Sequence, residues 1–267
     1  MTAATQATET IARRREQAAG ILVTARQKGA LVERLPVQLR PANLDDGFAI
    51  QQQVSHQLGR RIGAWKCALP QPGKVIAAPI YDADIHRGDV CRMNGPLRVA
   101  VRAEPELACL LNRDLLPRRE PFSEAEVLDA LGHTHLALEL LGSRYSHPES
   151  LMFPELLADG LFNAGLVIGP RVNLPEGVTP ADLPIEFTVS LIRGGERTAT
   201  LNGRHPDRGV LKPIVWLANF LRVHGVGLYA GQAVITGSYA GVLELPVRCQ
   251  MCVGFGDLGT LPITFLF

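Results

Sequence analysis

The first sixty residues of the chain follow a helical pattern of apolar positions. A polar segment over the first thirty residues carries one apolar stripe, formed by Ile11, Ala18, Leu22 and Ala25. Residues three, four or seven apart lie on one face of a helix, so this spacing predicts an N-terminal helix. Asn43 is placed to cap a second helix, in which Ile50, Val54 and Leu58 recur four residues apart.

The pattern changes at Gly63 to short apolar runs broken by glycine and proline, which is typical of strands. Strands are predicted within residues 96–111, 135–142 and 165–169, in a hairpin that turns at 194–195, and from residue 232 onward. Two helices interrupt them, one opened by the capping box Ser123-x-x-Glu126 and one over 210–227. Long strands with few helices predict an α+β fold, with an N-terminal helical part at residues 1–62 and a β-rich catalytic domain at residues 63–267.

Two glutamates interrupt one of these apolar runs, in AEPELACLLNRDL at residues 103–115. Residues two apart in a strand point to the same face, about 6.6–6.8 Å apart along it, so Glu104 and Glu106 share a face. Glu139 is a third lone carboxylate within an apolar strand. Carboxylates in this setting hold a hard cation such as Mg²⁺, pair with arginines such as Arg102 and Arg144, or lie on a solvated face.

Pro105 stands between the two glutamates and has no N–H group to give to a neighbouring strand. The stretch is therefore predicted to be an edge strand or a bulged strand that lines a pocket. In that position both carboxylates would reach a metal and a substrate.

Composition and charge exclude several classes of function. The chain has 27 Lys+Arg against 26 Asp+Glu, so it offers no broad basic surface for nucleic acid. No apolar stretch approaches the ~20 residues of a membrane helix, and no apolar signal core precedes residues 13–15, so we expect a cytoplasmic protein. Cys249-x-x-Cys252 falls in a predicted strand, where residues three apart face opposite ways. We therefore expect buried thiols in a reducing compartment rather than a redox or zinc site.

The order and spacing of eight motifs resemble those of a known family. The motifs are LDDGFAIQ (44–51), GAWK (63–66), AEPELACLLNRDL (103–115), HLALELLGSRY (135–145), LADGLFNAGLVIG (157–169), LKPIVWLAN (211–219), VITGS (234–238) and GFGDLGTLPITF (254–265). Together they resemble the 2-keto-4-pentenoate hydratase and 4-oxalocrotonate decarboxylase branch of the fumarylacetoacetate hydrolase superfamily. The resemblance runs from about residue 44 to the last residue and implies a mixed β-roll core with a small helical N-terminal part.

The resemblance also implies a metal-dependent lyase. In that family a Glu-x-Glu pair and a later glutamate bind Mg²⁺ or Mn²⁺, and these positions correspond to Glu104, Glu106 and Glu139. The lysine of the family's G-[WY]-K motif corresponds to Lys66, which is expected to contact the 2-oxo acid end of the substrate. The expected reaction is the addition of water to a small 2-hydroxydienoic or 2-oxo-enoic acid from aromatic meta-cleavage. The enzyme is expected to be a homo-oligomer, alone or in complex with a pathway enzyme.

Further candidate residues lie in three of the motifs. Asp159 is expected to act as a general base or to position water, or else to cap a turn, and Asn163 is expected to contact the substrate. Arg144 is expected to bind the substrate carboxylate or to neutralise a metal-site glutamate. Thr236 and Ser238 either offer hydroxyl donors to a substrate carboxylate or belong to a plain turn.

The loop at residues 159–163 departs from the family pattern ADN-x-S-x-G, because Gly160 replaces the asparagine and Phe162 replaces the serine. Gly142 stands where an aspartate is usual. Since Phe162 adds apolar bulk, we expect a substrate larger or more apolar than 2-hydroxypentadienoate, or weakened hydration. His205 lies in a polar segment, NGRHPDRGVLKP, and is expected on the solvated surface.

Three other functions are alternatives to this one. A 4-oxalocrotonate-type 2-oxo acid decarboxylase would use the same site, since one electron sink serves both reactions. A non-catalytic partner subunit would keep the metal ligands but lack the chemistry of the altered loop. A hydrolase that cleaves acylpyruvates would need a His-Glu pair on the N-terminal side of the site, and His56 does not form a clear one.

Overall fold

The computed structural model describes residues 3–93 and 99–267, with side chains from residue 8 onward. Its α-helices are α1 (Ala3–Lys28), α2 (Leu44–Leu58), α3 (Glu124–Ala130), α4 (Phe153–Ala158) and α5 (Leu211–Val223). Its strands are β1 (Ile62–Gln71), β2 (Lys74–Tyr81), β3 (Ile85–Arg87), β4 (Val90–Arg92), β5 (Ala100–Leu111), β6 (Leu131–Leu141), β7 (Asn163–Arg171), β8 (Glu186–Arg193), β9 (Glu196–Arg204), β10 (Ala233–Ile235), β11 (Leu243–Pro246), β12 (Met251–Phe255) and β13 (Thr260–Leu266). The predicted α+β class is confirmed. The strand predicted within 96–111 is β5, and residues 96–98 of that prediction lie outside the described residues.

Local signals in the sequence set several element boundaries. The side chain of Asn43 accepts a hydrogen bond from the Asp46 N–H and caps α2, which ends where Gly59 adopts a left-handed conformation. Ser123 and Glu126 form the predicted capping box of α3. The predicted hairpin is formed by β8 and β9, which turn at residues 194–195.

The apolar stripe predicted for α1 is only partly correct. Ala18, Leu22 and Ala25 are buried, and the first two pack with residues of α2 in a small helical core that also contains Tyr145. Ile11 is 43% exposed, because the part of α1 over residues 8–13 lies open to solvent. The helices α1 and α2 precede β1, and the division of the chain at residues 62 and 63 into two domains stays a prediction.

The larger sheet brings together the strands that carry the candidate site residues. Its eight strands run in the order β2-β1-β10-β5-β6-β7-β3, and β11 pairs with β5 beside β10. The sheet curls so that β2 also contacts β7. Small buried side chains fill the inside of this curl, among them Ala64, Ala108, Ala137 and Ala233. Small side chains let the opposite walls of the curl approach closely.

The prediction that β5 is an edge or bulged strand is wrong at Pro105. β5 is central, since β6 pairs along one side of it while β10 and β11 pair along the other. The second side has a gap, because β11 covers residues 100–103 and β10 covers residues 108–110. The carbonyl of Pro105 faces this gap and accepts a hydrogen bond from the Tyr239 N–H at 3.0 Å. The N and C=O of one residue point to the same side of a strand, so the proline nitrogen lies where no ladder bond is needed.

A second sheet, in the order β4-β13-β12-β8-β9, contributes to the main hydrophobic core, as do α3 and α5. In the described part of the chain, no helix is long and apolar enough to cross a membrane.

The placement predicted for Cys249 and Cys252 in one strand is wrong. Cys249 lies in the turn between β11 and β12, next to Arg248, whose φ of 57° reverses the chain there. Both cysteines are half-buried and free, whereas Cys67, Cys91 and Cys109 are free and buried as expected.

Candidate active site

Three glutamates meet on the inner face of the curled sheet. Glu104 on β5 lies directly opposite Glu139 on β6, and Glu106 is the next residue of β5 on the same face. One carboxylate oxygen from each of these residues lies within 4.8 Å of the other two. We call Glu104, Glu106 and Glu139 the carboxylate cage. The face-sharing predicted from the spacing is therefore observed, and the register of β5 and β6 brings in Glu139.

Burial changes steadily along the inner face of β5. Arg102 is exposed, Glu104 is half-buried, and Glu106 and Ala108 are buried. The inner face is therefore open at Arg102 and closed by small side chains at Ala108. The most exposed of these residues, Arg102, is positively charged.

The two oxygens of Glu139 have different surroundings, although the residue is fully buried. Its Oε1 accepts hydrogen bonds from Lys66 Nζ at 2.7 Å and from Asn163 Nδ2 at 2.8 Å. Its Oε2 has no hydrogen-bond partner in the described part of the chain. A buried carboxylate oxygen without a partner is costly, so this atom indicates a position for a cation.

The cage carries more negative charge than its neighbours compensate. Burial raises the pKa of Glu106 well above its usual value, and Glu139 raises it further, although Lys66 and the Gly237 N–H oppose the shift. Burial and Glu139 also raise the pKa of Glu104. Burial lowers the pKa of Lys66, but Glu139 and the other two glutamates raise it by more, so it stands above its ordinary value. One lysine for three carboxylates leaves a site that attracts a further cation.

The loop at residues 159–163 reaches the cage through an unusual backbone. Gly160, Leu161 and Phe162 have φ values of 89°, 53° and 65°, a left-handed run that is costly for the two non-glycine residues. The run turns the Leu161 carbonyl toward Lys66 Nζ, which donates to it at 3.2 Å. The Phe162 carbonyl accepts from the Gly142 N–H at 2.8 Å. Residue 142 thus contacts the loop through its backbone.

Arg144 and Asp159 hold this loop from behind. Arg144 Nε donates to Asp159 Oδ1 at 2.7 Å, and its two terminal nitrogens donate to the carbonyls of Asn163 and Asp159, each at 2.6 Å. Both side chains are buried. Arg26 of α1 donates to the same Asp159 carbonyl at 3.2 Å. Each side-chain nitrogen of Arg144 therefore makes a bond within the protein, as does the carboxylate of Asp159.

The turn after β10 contacts the cage through its backbone. The Gly237 N–H donates to Glu106 Oε2 at 2.6 Å. The hydroxyl of Thr236 lies 2.9 Å from His205 Nε2, and that of Ser238 donates to the Gly241 carbonyl at 2.9 Å. Lys66 and Asn163 thus contact the carboxylate cage directly. The hydroxyl groups of Thr236 and Ser238 bond instead to parts of the protein outside the cage.

The expectation that His205 lies on the solvated surface is wrong, since this residue is 1% exposed. Its polar neighbours in the sequence resemble a surface loop, but its ring is enclosed by the turn at 236–239 and packs edge-on against Tyr239. The sequence also gave no signal for the Leu161 carbonyl or the Gly237 amide, because any residue type carries these groups.

Comparisons with known proteins identify relatives of this chain. No protein-family model matches the chain. The chain is 30% identical over 234 residues to a 2-keto-4-pentenoate hydratase from Paraburkholderia xenovorans (strain LB400), covering 84% of each protein. It is 27% identical over 261 residues to the 2-oxo-hept-4-ene-1,7-dioate hydratase of Escherichia coli, covering 88% of this chain and 94% of the relative.

Among solved structures, the fold is similar to that of 4-oxalocrotonate decarboxylase from Pseudomonas putida G7 in complex with magnesium and adipate. The TM-score is 0.75 over 95% of this chain and 98% of the decarboxylase, at 16% identity. The β-roll architecture implied by the motifs is therefore confirmed. The chain belongs to the 2-keto-4-pentenoate hydratase family, the branch of the fumarylacetoacetate hydrolase superfamily that its motifs predicted.

Proposed function

We propose that this protein is a metal-dependent hydro-lyase that adds water to a 2-hydroxydienoic or 2-oxo-enoic acid of the aromatic meta-cleavage type. The carboxylate cage, with the unpartnered Oε2 of Glu139 beside Lys66, is the observation that carries this proposal. The relatives named as hydratases of 2-keto-4-pentenoate and 2-oxo-hept-4-ene-1,7-dioate support the reaction and the substrate class.

The donor set of the cage fits Mg²⁺ or Mn²⁺. Glu104, Glu106 and Glu139 offer only carboxylate oxygens, which are the ligands that hard divalent cations prefer. The magnesium in the decarboxylase of similar fold supports this choice. When bound, such a metal polarises the 2-oxygen of the substrate and makes the conjugated double bond electrophilic.

The side chains around the cage prepare the site for an anionic substrate. Lys66 supplies positive charge beside Glu139 and, with Asn163, fixes Oε1 of that glutamate so that Oε2 remains for the metal. Arg102 at the open end of the face attracts an acid from solution. We assign Asp159 and Arg144 the task of holding the loop at 159–163 in place, because their polar atoms are used on each other and on that loop.

We further propose that Phe162 contacts the part of the substrate farthest from the cage. Its ring is half-buried and belongs to none of the hydrophobic clusters found among the described residues. Its neighbour Leu161 contacts Lys66 through the carbonyl, so residue 162 lies close to the site. Direct substrate contacts by Thr236 and Ser238 stay predictions, since both hydroxyl groups bond within the protein.

A panel of dienoic acids tests the reaction. The protein is mixed with 2-hydroxypentadienoate, a longer 2-hydroxydienedioate or 4-oxalocrotonate, in Mg²⁺ or in EDTA, while dienoate absorbance and CO₂ are followed. Loss of absorbance without CO₂, in Mg²⁺ only, is the expected result. No turnover of any acid would contradict the proposal and favour a non-catalytic subunit.

Decarboxylation is the second candidate, because the fold is similar to that of a decarboxylase over 95% of the chain. Release of CO₂ from 4-oxalocrotonate faster than the hydration of either dienoic acid would identify this function instead.

We also propose that the protein is a cytoplasmic homo-oligomer. The five free cysteines fit a reducing compartment. Leu31 and Val37 are 63% and 73% exposed, and we expect a partner subunit to cover them. Light scattering on the purified protein measures the number of subunits, and a strictly monomeric mass would contradict the expectation. A complex with a pathway enzyme would be detected by co-purification.

A further inference from the structure

Each of the three side chains in the segment at residues 205–207 contacts an element of the site. These elements are the turn after β10, which bonds to the carboxylate cage, and β1, which carries Lys66. His205 is bonded to Thr236, Pro206 packs on Gly237, and Asp207 binds the backbone of β1. The same stretch is anchored by the Arg204 N–H, which donates to the Tyr239 carbonyl at 2.7 Å. Residues 236–239 are therefore enclosed between this segment on one side and β5 on the other.

The hydrogen bonds of His205 fix the position of its proton. Nδ1 accepts from the N–H groups of Asp207 at 3.1 Å and Gly209 at 3.2 Å. A ring nitrogen that accepts carries no hydrogen, so the neutral ring bears its hydrogen on Nε2. Nε2 therefore donates to Thr236 Oγ1 at 2.9 Å. Burial lowers the pKa of His205 to about 4, although Asp207 opposes the shift, and the ring stays neutral.

Pro206 fixes the glycine that follows Thr236. Gly237 has a φ of 121°, and a Cβ atom at this position would lie 2.6 Å from Pro206 Cγ. Only glycine combines this backbone conformation with such a close approach. The fixed peptide directs the Gly237 N–H to Glu106 Oε2 at 2.6 Å. One oxygen of Glu106 is thereby occupied by a backbone donor.

Asp207 joins the same segment to the strand that carries Lys66. Its Oδ2 accepts from the Leu69 N–H at 2.7 Å, at a point where the pairing of β1 with β2 shifts its register. At this irregularity the Leu69 N–H thus donates to a side chain in place of a neighbouring strand.

We propose that His205 is a positioning residue of the metal site, which orients Glu106 through Thr236 and the Gly237 amide. This inference rests on the proposed function, since it requires the cage to bind a divalent metal. Residues that orient metal ligands typically contribute 10–100-fold to metal affinity or activity. We expect His205 to contribute in this range without touching metal or substrate.

A pair of His205 variants separates the two bonds of the ring. In His205→Asn the side-chain oxygen replaces Nδ1 as acceptor, but the donor to Thr236 is lost. In His205→Gln the amide nitrogen replaces Nε2 as donor. We expect the Kd for Mn²⁺, measured by electron paramagnetic resonance of the free ion, to rise about 10-fold in His205→Asn and to stay near the wild-type value in His205→Gln. The kcat for hydration should follow the same order.

A second pair tests the same bond from its other end. Thr236→Val removes the acceptor, whereas Thr236→Ser keeps it, so only the valine variant should weaken Mn²⁺ binding. His147→Asn is the matched control, because His147 is an exposed histidine. Thermal melting of each metal-free variant verifies that it folds. If folding fails in the asparagine variant, the threonine pair decides.

The outcomes separate this inference from the proposed function. Equal Mn²⁺ affinity in the wild type, His205→Asn and Thr236→Val would overturn the role of His205. A wild-type protein that binds no Mn²⁺ would instead overturn the metal-dependent function itself.

Discussion

The chain buries two groups of carboxylates and treats them in opposite ways. The first group is paired with arginine and comprises Asp46, Glu155 and Asp159, which bond to Arg14 and Arg15, to Arg34, and to Arg144. The second group is the carboxylate cage, in which Lys66 is the only cation among the described residues that bonds to a glutamate. Arginine-paired carboxylates join helices and loops together, whereas the cage places like charges side by side. A buried excess of negative charge lowers stability and is typical of functional sites, which distinguishes the cage from the arginine-paired carboxylates.

The pKa values follow the same division. Burial raises the pKa of Asp46, but the Ala42 N–H and the two arginines lower it by more, so it lies below its usual value. Burial likewise raises the pKa of Glu155, but the bonds from Arg34 help to bring it below its usual value. In the cage, the pKa values of Glu104 and Glu106 are raised instead. Substitutions in the arginine-paired group should therefore lower stability, whereas substitutions in the cage should lower activity.

Glu106→Gln should have the largest effect on activity. We expect hydration to fall by a factor of at least ~10³ and Mn²⁺ binding to be lost, because one ligand of the cage is removed. The metal-free variant should melt at the same temperature as the wild type or higher, since one buried like charge is gone. Kinetics, Mn²⁺ titration and thermal melting measure these effects.

Glu176→Gln is the matched control for this variant, because Glu176 is an exposed carboxylate. Metal affinity that survived Glu106→Gln unchanged would show that the cage is wrongly assigned.

Arg144→Met affects both groups at once. It leaves Asp159 buried without its cation and releases the loop at 159–163 from the Asn163 carbonyl. We expect a loss of about 3–5 kcal/mol in the free energy of unfolding. The kcat should also fall about 10²-fold, because a small displacement of the loop moves Asn163 and Glu139. Urea unfolding and steady-state kinetics test both effects. Full activity in this variant would mean that the loop keeps its position without Arg144.

Asp46→Asn should lower stability and leave the chemistry unchanged. Asp46 bonds to Arg14, Arg15 and the Ala42 N–H at the junction of α1 and α2. Losing its charge should cost about 2–3 kcal/mol in the free energy of unfolding, while kcat stays within about twofold of the wild type. A fall in kcat larger than the loss of folded protein would contradict the separation of the two groups.

The same residue predicts an acid dependence of stability. Since the pKa of Asp46 is lowered in the folded state, its contribution to stability is present above the unfolded pKa of about 4 and is lost as the pH falls through the folded value. Unfolding free energies measured between neutral pH and pH 3 should therefore decrease less steeply in Asp46→Asn than in the wild type.

Phe162→Ser should have the smallest effect, on substrate preference. Replacing the ring with the residue typical of the family should raise kcat/KM for 2-hydroxypentadienoate about 10-fold relative to a longer dienoic acid. Tyr229→Ser is the matched control, because Tyr229 is a half-exposed aromatic residue. If the wild type already prefers 2-hydroxypentadienoate over the longer acid, the role assigned to Phe162 is wrong.

Periodicity predicted the carboxylate cage well, because a strand places alternate residues on one face whatever its neighbours are. The α2 cap at Asn43 and the hairpin turn at 194–195 were also correct, since short-range geometry determines them. Pro105 was misplaced, because a missing donor fits either an edge strand or a gap inside a sheet. Only the tertiary arrangement distinguishes the two.

The surroundings of the cage were harder to predict. The left-handed backbone of Leu161 and Phe162 has no signal in their side chains, since both residue types normally avoid that conformation. His205 was assigned to the surface from its polar neighbours, but residues distant in the sequence bury it. Contacts that depend on two remote segments cannot be inferred from the local pattern of either segment.

The contacts of Glu106 have a consequence for the order in which the protein is made. All three carboxylates have been synthesised once the chain passes Glu139, but the amide that orients Glu106 belongs to Gly237, which follows much later. A nascent chain therefore carries clustered acids and unpaired strands for much of its synthesis. Contacts between such distant positions form slowly. Tight metal uptake by a growing chain is accordingly expected late, after β10 has entered the sheet.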